Sequence, residues 1–410
     1  MDGTTRLCEV STLRCLRSSV GSRPLIMKVA IVHNHPIHYK HLLFQALKHK
    51  GLELEVVFAA RHSGVRHESL GLDQNLYKHR FAVDGRYETA RTADLALGTW
   101  KAVARVSPDV LIIGGYHAVE CWAAWAWGLL NKRPIVMWYE SNECDYPNRP
   151  RHKEVLKNIF LKGCNLAQVY TEQNRSYLVK LGLRADRIDI KRAVVNVSAF
   201  STGADGKSYS AGSAKRLLYV GRLAPEKNVG FLLGAIAEAT RRAGACLWNL
   251  TIAGRGPLEE DLKEECVRLG IQDFVDFVGY CPQKDLPHLY NQADLCVIPS
   301  TREPWGLVGL EAMLCRVPVA ISTQCGCAED LALPETGWKF SPWKEAELVQ
   351  ILMRLSEMSP TDLAALGAAG HEIACGYSAS ACAERIIDSL QKVSNQIKPA
   401  DGQRQVAQAR

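Results

Sequence analysis

The chain has 410 residues, room for about two to three domains, and its 47% hydrophobic and 23% charged residues are the balance of a chain that buries full cores. That balance excludes a disordered, collagenous or disulfide-stapled protein. The net charge of +7 is unevenly placed: residues 27–204 carry 25 Lys and Arg against 16 Asp and Glu, and residues 205–410 carry 21 against 25.

Residues 1–26 are rich in Ser, Arg, Leu and Cys, but they lack the apolar core and cleavage site of a targeting peptide. They read as an extension, disordered or upstream of a natural start at Met27. From Met27 strands and helices alternate. Strands are expected over 28–33, 54–58, 110–114, 135–139, 167–171 and 188–194, and helices over 41–49, 119–130 and 154–162. The stretch 201–214, STGADGKSYSAGSA, has little to bury and reads as a linker. A second series follows, with strands over 216–220, 248–253, 275–278, 295–299 and 318–322. Val229, Leu232, Leu233 and Ile236 fall at helical spacing after the first of these.

Short apolar strands separated by helices imply parallel sheets covered on both faces. The fold class is therefore α/β, two doubly wound Rossmann-like domains facing a cleft. The expected boundaries are 27–200, a linker over 201–214, and 215–375. A C-terminal helix over 376–397 would pack back on the first domain, before a disordered polar tail over 398–410. The apolar run 118–130 is too short to span a bilayer and contains Glu120. Fourteen cysteines scatter from Cys8 to Cys382 without a C-x-x-C pair, which fits a reducing cytoplasm. The basic first half is either a solvated basic surface or meets an anionic partner such as a membrane surface or a phosphorylated lipid, and no nucleic-acid signature accompanies it. The segment 149–162, RPRHKEVLKNIFLK, holds apolar Val155, Leu156, Ile159 and Phe160. It either lies on an anionic bilayer or packs these side chains into its own domain, the reading expected here.

In such sheets ligands gather outside the carboxyl ends of the strands, so the residues after each strand carry the candidate chemistry. Gly221-Arg222-Leu223-Ala224-Pro225-Glu226-Lys227 enters a helix, and two cations near a helix start suit phosphate oxygens. A plain surface loop is the other reading. Gly254-Arg255-Gly256-Pro257 lacks the G-x-G-x-x-G spacing, so it is either a tight turn or a backbone approach to a ligand. In Ser300–Glu311, Pro304 suits the first turn of a helix, with Glu303 just before it and Glu311 two turns in. Gly306 and Gly309 are costly inside a helix unless something approaches the backbone. The two carboxylates either accept from sugar and ribose hydroxyls or are a helix-start and a surface Glu, with the glycines packing on the sheet.

Two glutamates separated by seven residues, with a G-R-L-x-x-x-K segment upstream, resemble glycosyltransferase family 4. The likeness runs over 217–331 and more loosely over 27–200. It implies retaining enzymes of the GT-B fold that use nucleotide sugars, without a metal or other cofactor. On that resemblance Arg222 and Lys227 would hold the donor diphosphate, Glu303 the donor sugar and Glu311 the ribose hydroxyls. Gly221, Gly254, Gly306, Leu307 and Val308 would complete the donor side, and 323–329 would approach the donor through its backbone. His117 would face the donor sugar across the cleft, making Glu303, Arg222, Lys227 and His117 the catalytic candidates. His35, Glu140 and Glu143 would line the acceptor side.

The chain departs from the family in two turns, His33-Asn34-His35-Pro36 after the first strand and Asn196-Val197-Ser198 after the last strand of the first half. No metal is expected, either at the histidines 33, 35, 38 and 41 or at Cys325 and Cys327, since neither group has a matching ligand set. The reading is a transferase moving a sugar from a nucleotide-sugar donor to a glycan or lipid-linked hydroxyl, cytoplasmic or at the inner face of a membrane. A nucleotide-sugar 2-epimerase of the same fold and a non-catalytic nucleotide-binding partner of another transferase are the alternatives.

Overall fold

The computed structural model describes residues 27–36, 38–62, 75–140, 151–212 and 214–397. The expectations for residues 1–26, Glu143 and residues 398–410 lie outside them. Two parallel sheets carry the chain. The first has seven strands in the order β3-β2-β1-β4-β5-β6-β7: β1 (Lys28–His33), β2 (Glu53–His62), β3 (Lys78–Arg86), β4 (Val110–Ile113), β5 (Ile135–Tyr139), β6 (Leu166–Val169) and β7 (Ile188–Ile190). The second has six in the order β10-β9-β8-β11-β12-β13: β8 (Lys215–Val220), β9 (Trp248–Ala253), β10 (Val275–Gly279), β11 (Leu295–Ile298), β12 (Val319–Ser322) and β13 (Gly337–Phe340).

The central strands β4, β5, β11 and β12 are buried along their whole length. That is why they read as unbroken apolar runs. The strands absent from the sequence reading, β3 and β13, both lie at sheet edges, and their exposed charged residues interrupt the apolar run. In each sheet the order reverses once, between β1 and β4 and between β8 and β11. Such a reversal opens a crevice at the carboxyl ends, so the loops after β4, β8 and β11 line it.

Residues 201–212 do not hang free as a linker. Lys207 Nζ donates to the carbonyls of Tyr290 and Ala293, at 3.0 and 2.6 Å. Tyr209 Oη donates to the Arg316 carbonyl at 2.5 Å, and Ser210 donates twice to the buried Asp294 carboxylate. Polar anchoring replaces the apolar burial that the composition lacks. At the other end the helix Ala379–Ile397 crosses back. Its Cys382, Ala383, Ile386, Leu390 and Val393 enter the core formed by Met27, Leu43, Phe44 and Leu47. Lys392 pairs with Asp189 at 3.0 Å on its rim. Among the described residues no helix is long and apolar enough to cross a membrane.

Candidate functional site

The loop after β8 is held by a second loop beneath it. Gly221 N donates to the Ala253 carbonyl at 3.0 Å, Leu223 N to that of Arg255 at 3.0 Å, and Leu258 N to that of Leu223 at 3.1 Å. A Cβ at Gly254 would stand 1.8 Å from the Gly221 carbonyl oxygen, and one at Gly256 2.2 Å from that of Leu223. Both glycines are therefore required by backbone against backbone. Gly254 supports the loop from below and does not line the cavity described next.

Between the two sheets lies a cavity of about 500 Å³. Arg222, Glu226, Lys227, Arg302, Glu303 and Pro304 wall it from the second domain; from the first come Gly114 to His117 and Trp138 to Glu140. Lys227 forms an ion pair with Glu303, each side chain only 19% exposed. Arg222 pairs with Glu226 at 2.6 Å but keeps 72% of its side chain exposed, free to swing onto an anion. His117 is exposed on the opposite wall. The pocket thus presents three cations and two carboxylates from one side, and one further carboxylate, Glu140, from the other.

Glu303 is placed differently from the expectation. The helix begins at Leu307, not at Pro304. Glu303 instead forms a bridge with Cys325, its carbonyl accepting from Gly326 N at 2.9 Å while that of Trp305 accepts from Cys327 N at 3.0 Å. These bonds strap the 303–305 turn to the 325–327 loop. Gly306 then adopts φ +106°, which favours glycine, with the buried Cys327 thiol against it. Burial pushes both thiols, Cys325 and Cys327, up, as befits packing groups.

Glu311 is not beside Glu303 in that cavity. With Leu307 it lines a separate cavity of about 80 Å³, bounded by Leu42, Val194 and Asn196 from the first half of the chain. It is 8% exposed and accepts a hydrogen bond from Tyr290 Oη at 3.0 Å. Burial pushes its carboxyl up to about 7, opposed by the hydrogen bonds from Tyr290 and Gln283. Val308 packs on the core of the second domain, beside Leu307.

On the first domain Glu140 follows β5 and is half exposed. It sits in a cage the sequence did not disclose. Lys40 Nζ, almost fully buried, donates to Glu140 Oε1 at 2.7 Å and to Tyr170 Oη at 2.6 Å. Tyr170 Oη donates to the same carboxylate oxygen at 2.5 Å. Lys191 Nζ lies over the Tyr170 ring at 3.6 Å and the Trp138 ring at 4.7 Å. Burial alone would raise the Glu140 carboxyl. The charges of Lys40 and Lys191 and the two hydrogen bonds outweigh it and hold the group well below the usual carboxylate range. Burial and the nearby Lys40 lower Lys191 to about 7. Tyr170 and Lys191 directly follow β6 and β7, which end earlier than the strands expected over 167–171 and 188–194, so the sequence reading left both inside strands; Lys40 carries no signal of its own. The sequence reading also passed over Glu226 and Arg302 as pocket residues.

The histidines of the first turn are divided among separate tasks. His33 is buried against Gly114 and lowered to about 3 by burial and by Lys40. His41 Nδ1 is 3.1 Å from Tyr77 Oη, and the His35 ring lies 6.4 Å from that of Tyr87, away from the main cavity. Among the described residues no three His, Cys, Asp or Glu side chains gather as a metal site would need.

Residues 205–371 match the family model described as "Glycosyl transferases group 1". The D-inositol 3-phosphate glycosyltransferase of Frankia alni is 33% identical over 224 residues, 52% of this chain and 55% of that protein. The first curated relatives are matched over 29% to 55% of their own lengths. Sucrose-phosphate synthase from Thermosynechococcus elongatus superposes with a TM-score of 0.72 at 18% identity, covering 90% of this chain and 100% of that one. Anabaena Alr3699/HepE, in complex with UDP and glucose, superposes with a TM-score of 0.66 at 16% identity, covering 89% and 99%. Likeness at these identities carries the fold, two doubly wound domains across a cleft.

Proposed function

We propose that this chain, which has the GT-B fold and matches the glycosyl transferases group 1 family model over residues 205–371, moves a sugar from a nucleoside-diphosphate sugar to an acceptor hydroxyl with retention. The cavity carries the reading. Arg222, Lys227 and Arg302 converge on it from one domain, while His117 and Glu140 face them from the other. Three cations at the end of β8 and β11 suit a diphosphate, and the neighbour crystallised with UDP and glucose has the same fold.

In the proposed reaction the bond between the anomeric carbon and the diphosphate oxygen breaks, and the diphosphate leaves with the electron pair. The cations stabilise that charge without a metal or other cofactor. The acceptor oxygen adds to the anomeric carbon from the same face, and its proton passes to the departing phosphate oxygen. Glu303, released from Lys227 when the diphosphate takes that lysine, accepts hydrogen bonds from the donor sugar. His117 faces the sugar, and Glu140 orients the acceptor hydroxyl. Glu311 is offered to the ribose hydroxyls, for which the small cavity must open toward the large one. The acceptor is a glycan or a lipid-linked hydroxyl compound, and a peripheral seat on an anionic membrane in the cytoplasm accompanies it. The basic charge of residues 27–204 supports both.

A thermal-shift panel with UDP, GDP, ADP and their sugar conjugates tests the reading. A ligand at 100 times its Kd adds about 2.7 kcal/mol, several degrees for domains of this size. One nucleoside diphosphate is expected to give such a shift in wild type and none in the Arg222→Ala/Lys227→Ala variant. No shift with any nucleotide in folded protein overturns the reading. Donor conversion without acceptor replaces transfer by epimerisation.

A further inference from the structure

The helix Arg151–Lys162 turns the wrong side chains outward for a self-contained domain. Its inward face is Lys157, Phe160 and Leu161, all essentially buried. Lys157 Nζ reaches Tyr177 Oη at 2.6 Å and Glu154 at 2.7 Å there. Val155, Leu156 and Ile159 remain 57%, 49% and 47% exposed. At 100° per residue these three fall on one arc, which borders the buried face where Leu156 stands beside Phe160. Of the four apolar residues expected to pack inward, only Phe160 does. An exposed arc of three aliphatics beside a buried face that includes a lysine departs from an ordinary surface helix.

The apolar surface continues onto the neighbouring helix Val119–Leu130. Trp125 stacks on Phe160 at 5.7 Å and donates its Nε1 hydrogen to the Phe160 carbonyl at 3.0 Å. Trp122 meets the same ring edge-on at 5.0 Å. Both indoles are only half-buried, and Leu129, on the same helical face, is 44% exposed. Exposed Lys153 and Lys162 stand at the N-terminal and C-terminal ends of the aliphatic arc. A second copy of the chain is a poor occupant, because a self-complementary contact would bring these lysines together within a half already carrying excess positive charge. Aliphatic side chains, half-exposed indoles and a lysine rim match instead the depth profile of a bilayer with anionic headgroups.

We infer that the outward faces of Arg151–Lys162 and Val119–Leu130 are the surface by which this protein lies on an anionic membrane, Val155, Leu156 and Ile159 entering the acyl boundary. The assignment rests on the membrane contact proposed above but not on the transfer reaction. It places the bilayer against the helix that follows in the chain after Tyr139 and Glu140, two of the residues of the first domain that line the cavity.

Co-sedimentation of the full chain with vesicles tests it, using phosphatidylcholine alone and phosphatidylcholine with about a quarter phosphatidylglycerol. Wild type is expected to partition onto the anionic vesicles and only weakly onto the neutral ones. Leu156→Asp/Ile159→Asp is expected to lower anionic-vesicle partitioning at least about tenfold, and Lys153→Glu/Lys162→Glu by about fivefold per lost lysine, more with the reversed charge. Circular dichroism and the nucleotide shift report whether each variant is folded. Full wild-type partitioning that both folded variants retain overturns the surface and leaves the membrane contact standing. No wild-type partitioning overturns both, while the nucleotide shift judges the transferase reading independently. A dimer in solution that Leu156→Asp/Ile159→Asp breaks, without vesicle binding, replaces the bilayer by a second copy.

Discussion

Glu303 and Glu311 belong to one short segment, yet their surroundings differ. Glu303 is paired with Lys227 in the large cavity, whereas Glu311 is enclosed beside Tyr290 and raised to about 7. A carboxyl whose folded value lies above its unfolded one binds more protons when folded. Its stabilisation is complete below the unfolded value near 4.5 and is lost as pH rises through about 7. Glu311→Gln keeps the shape and removes that titration. It is expected to melt higher than wild type at pH 8, by up to about 3 kcal/mol, and near wild type at pH 5. Melting curves of the two proteins from pH 5 to 8 check this; parallel curves would mean that Glu311 is solvated. If Glu311 also accepts from the ribose, the same variant weakens the nucleotide shift at pH 8 even as it stabilises the free protein.

Among the elements, the legible ones are those whose signal is local. β1, β5 and β9 match their expected ranges because each carries its pattern locally, an apolar run in β1 and β5 and alternating apolar and polar residues in β9. The edges β3 and β13 lack that run, and the Glu303 turn was misread because its bonds to residues 325–327 come from a distant strand end. The cage around Glu140 is illegible for the same reason: Lys40, Tyr170 and Lys191 converge from one helix and two strand ends. The paired loops that carry Arg222 are an intermediate case. Gly221, Gly254 and Gly256 are visible in the sequence, but only the structure shows that Gly254 and Gly256 are required by another stretch of backbone. Gly254→Ala would drive a methyl into the Gly221 carbonyl, so the Arg222 loop must shift. Overpacking of this kind costs about 1–3 kcal/mol or more. The expected outcome is a lower Tm together with at least a tenfold weaker nucleotide affinity by calorimetry. Unchanged affinity in a folded variant would detach the lower loop from donor binding.

For the molecule as a whole, the two sheets are joined twice, by residues 201–212 and by the returning helix Ala379–Ile397. The first connection is fastened to the second domain by Lys207, Tyr209 and Ser210, and the last helix completes the apolar face of the first. The first domain is therefore built from both ends of the described chain, and its core lacks a wall until the C-terminal helix arrives. Ile386 is fully buried in that wall, so Ile386→Ala is expected to cost about 2–5 kcal/mol. Lys392→Ala, which removes only the partly exposed pair with Asp189, should cost less than about 1 kcal/mol. Denaturant unfolding of both variants separates these effects. The nucleotide shift should survive Ile386→Ala, because the proposed phosphate cations Arg222, Lys227 and Arg302 stand on the second domain. If Ile386→Ala abolishes that shift in protein still folded at the assay temperature, the returning helix does more than brace the first domain: it fixes the distance across the cleft that donor binding requires.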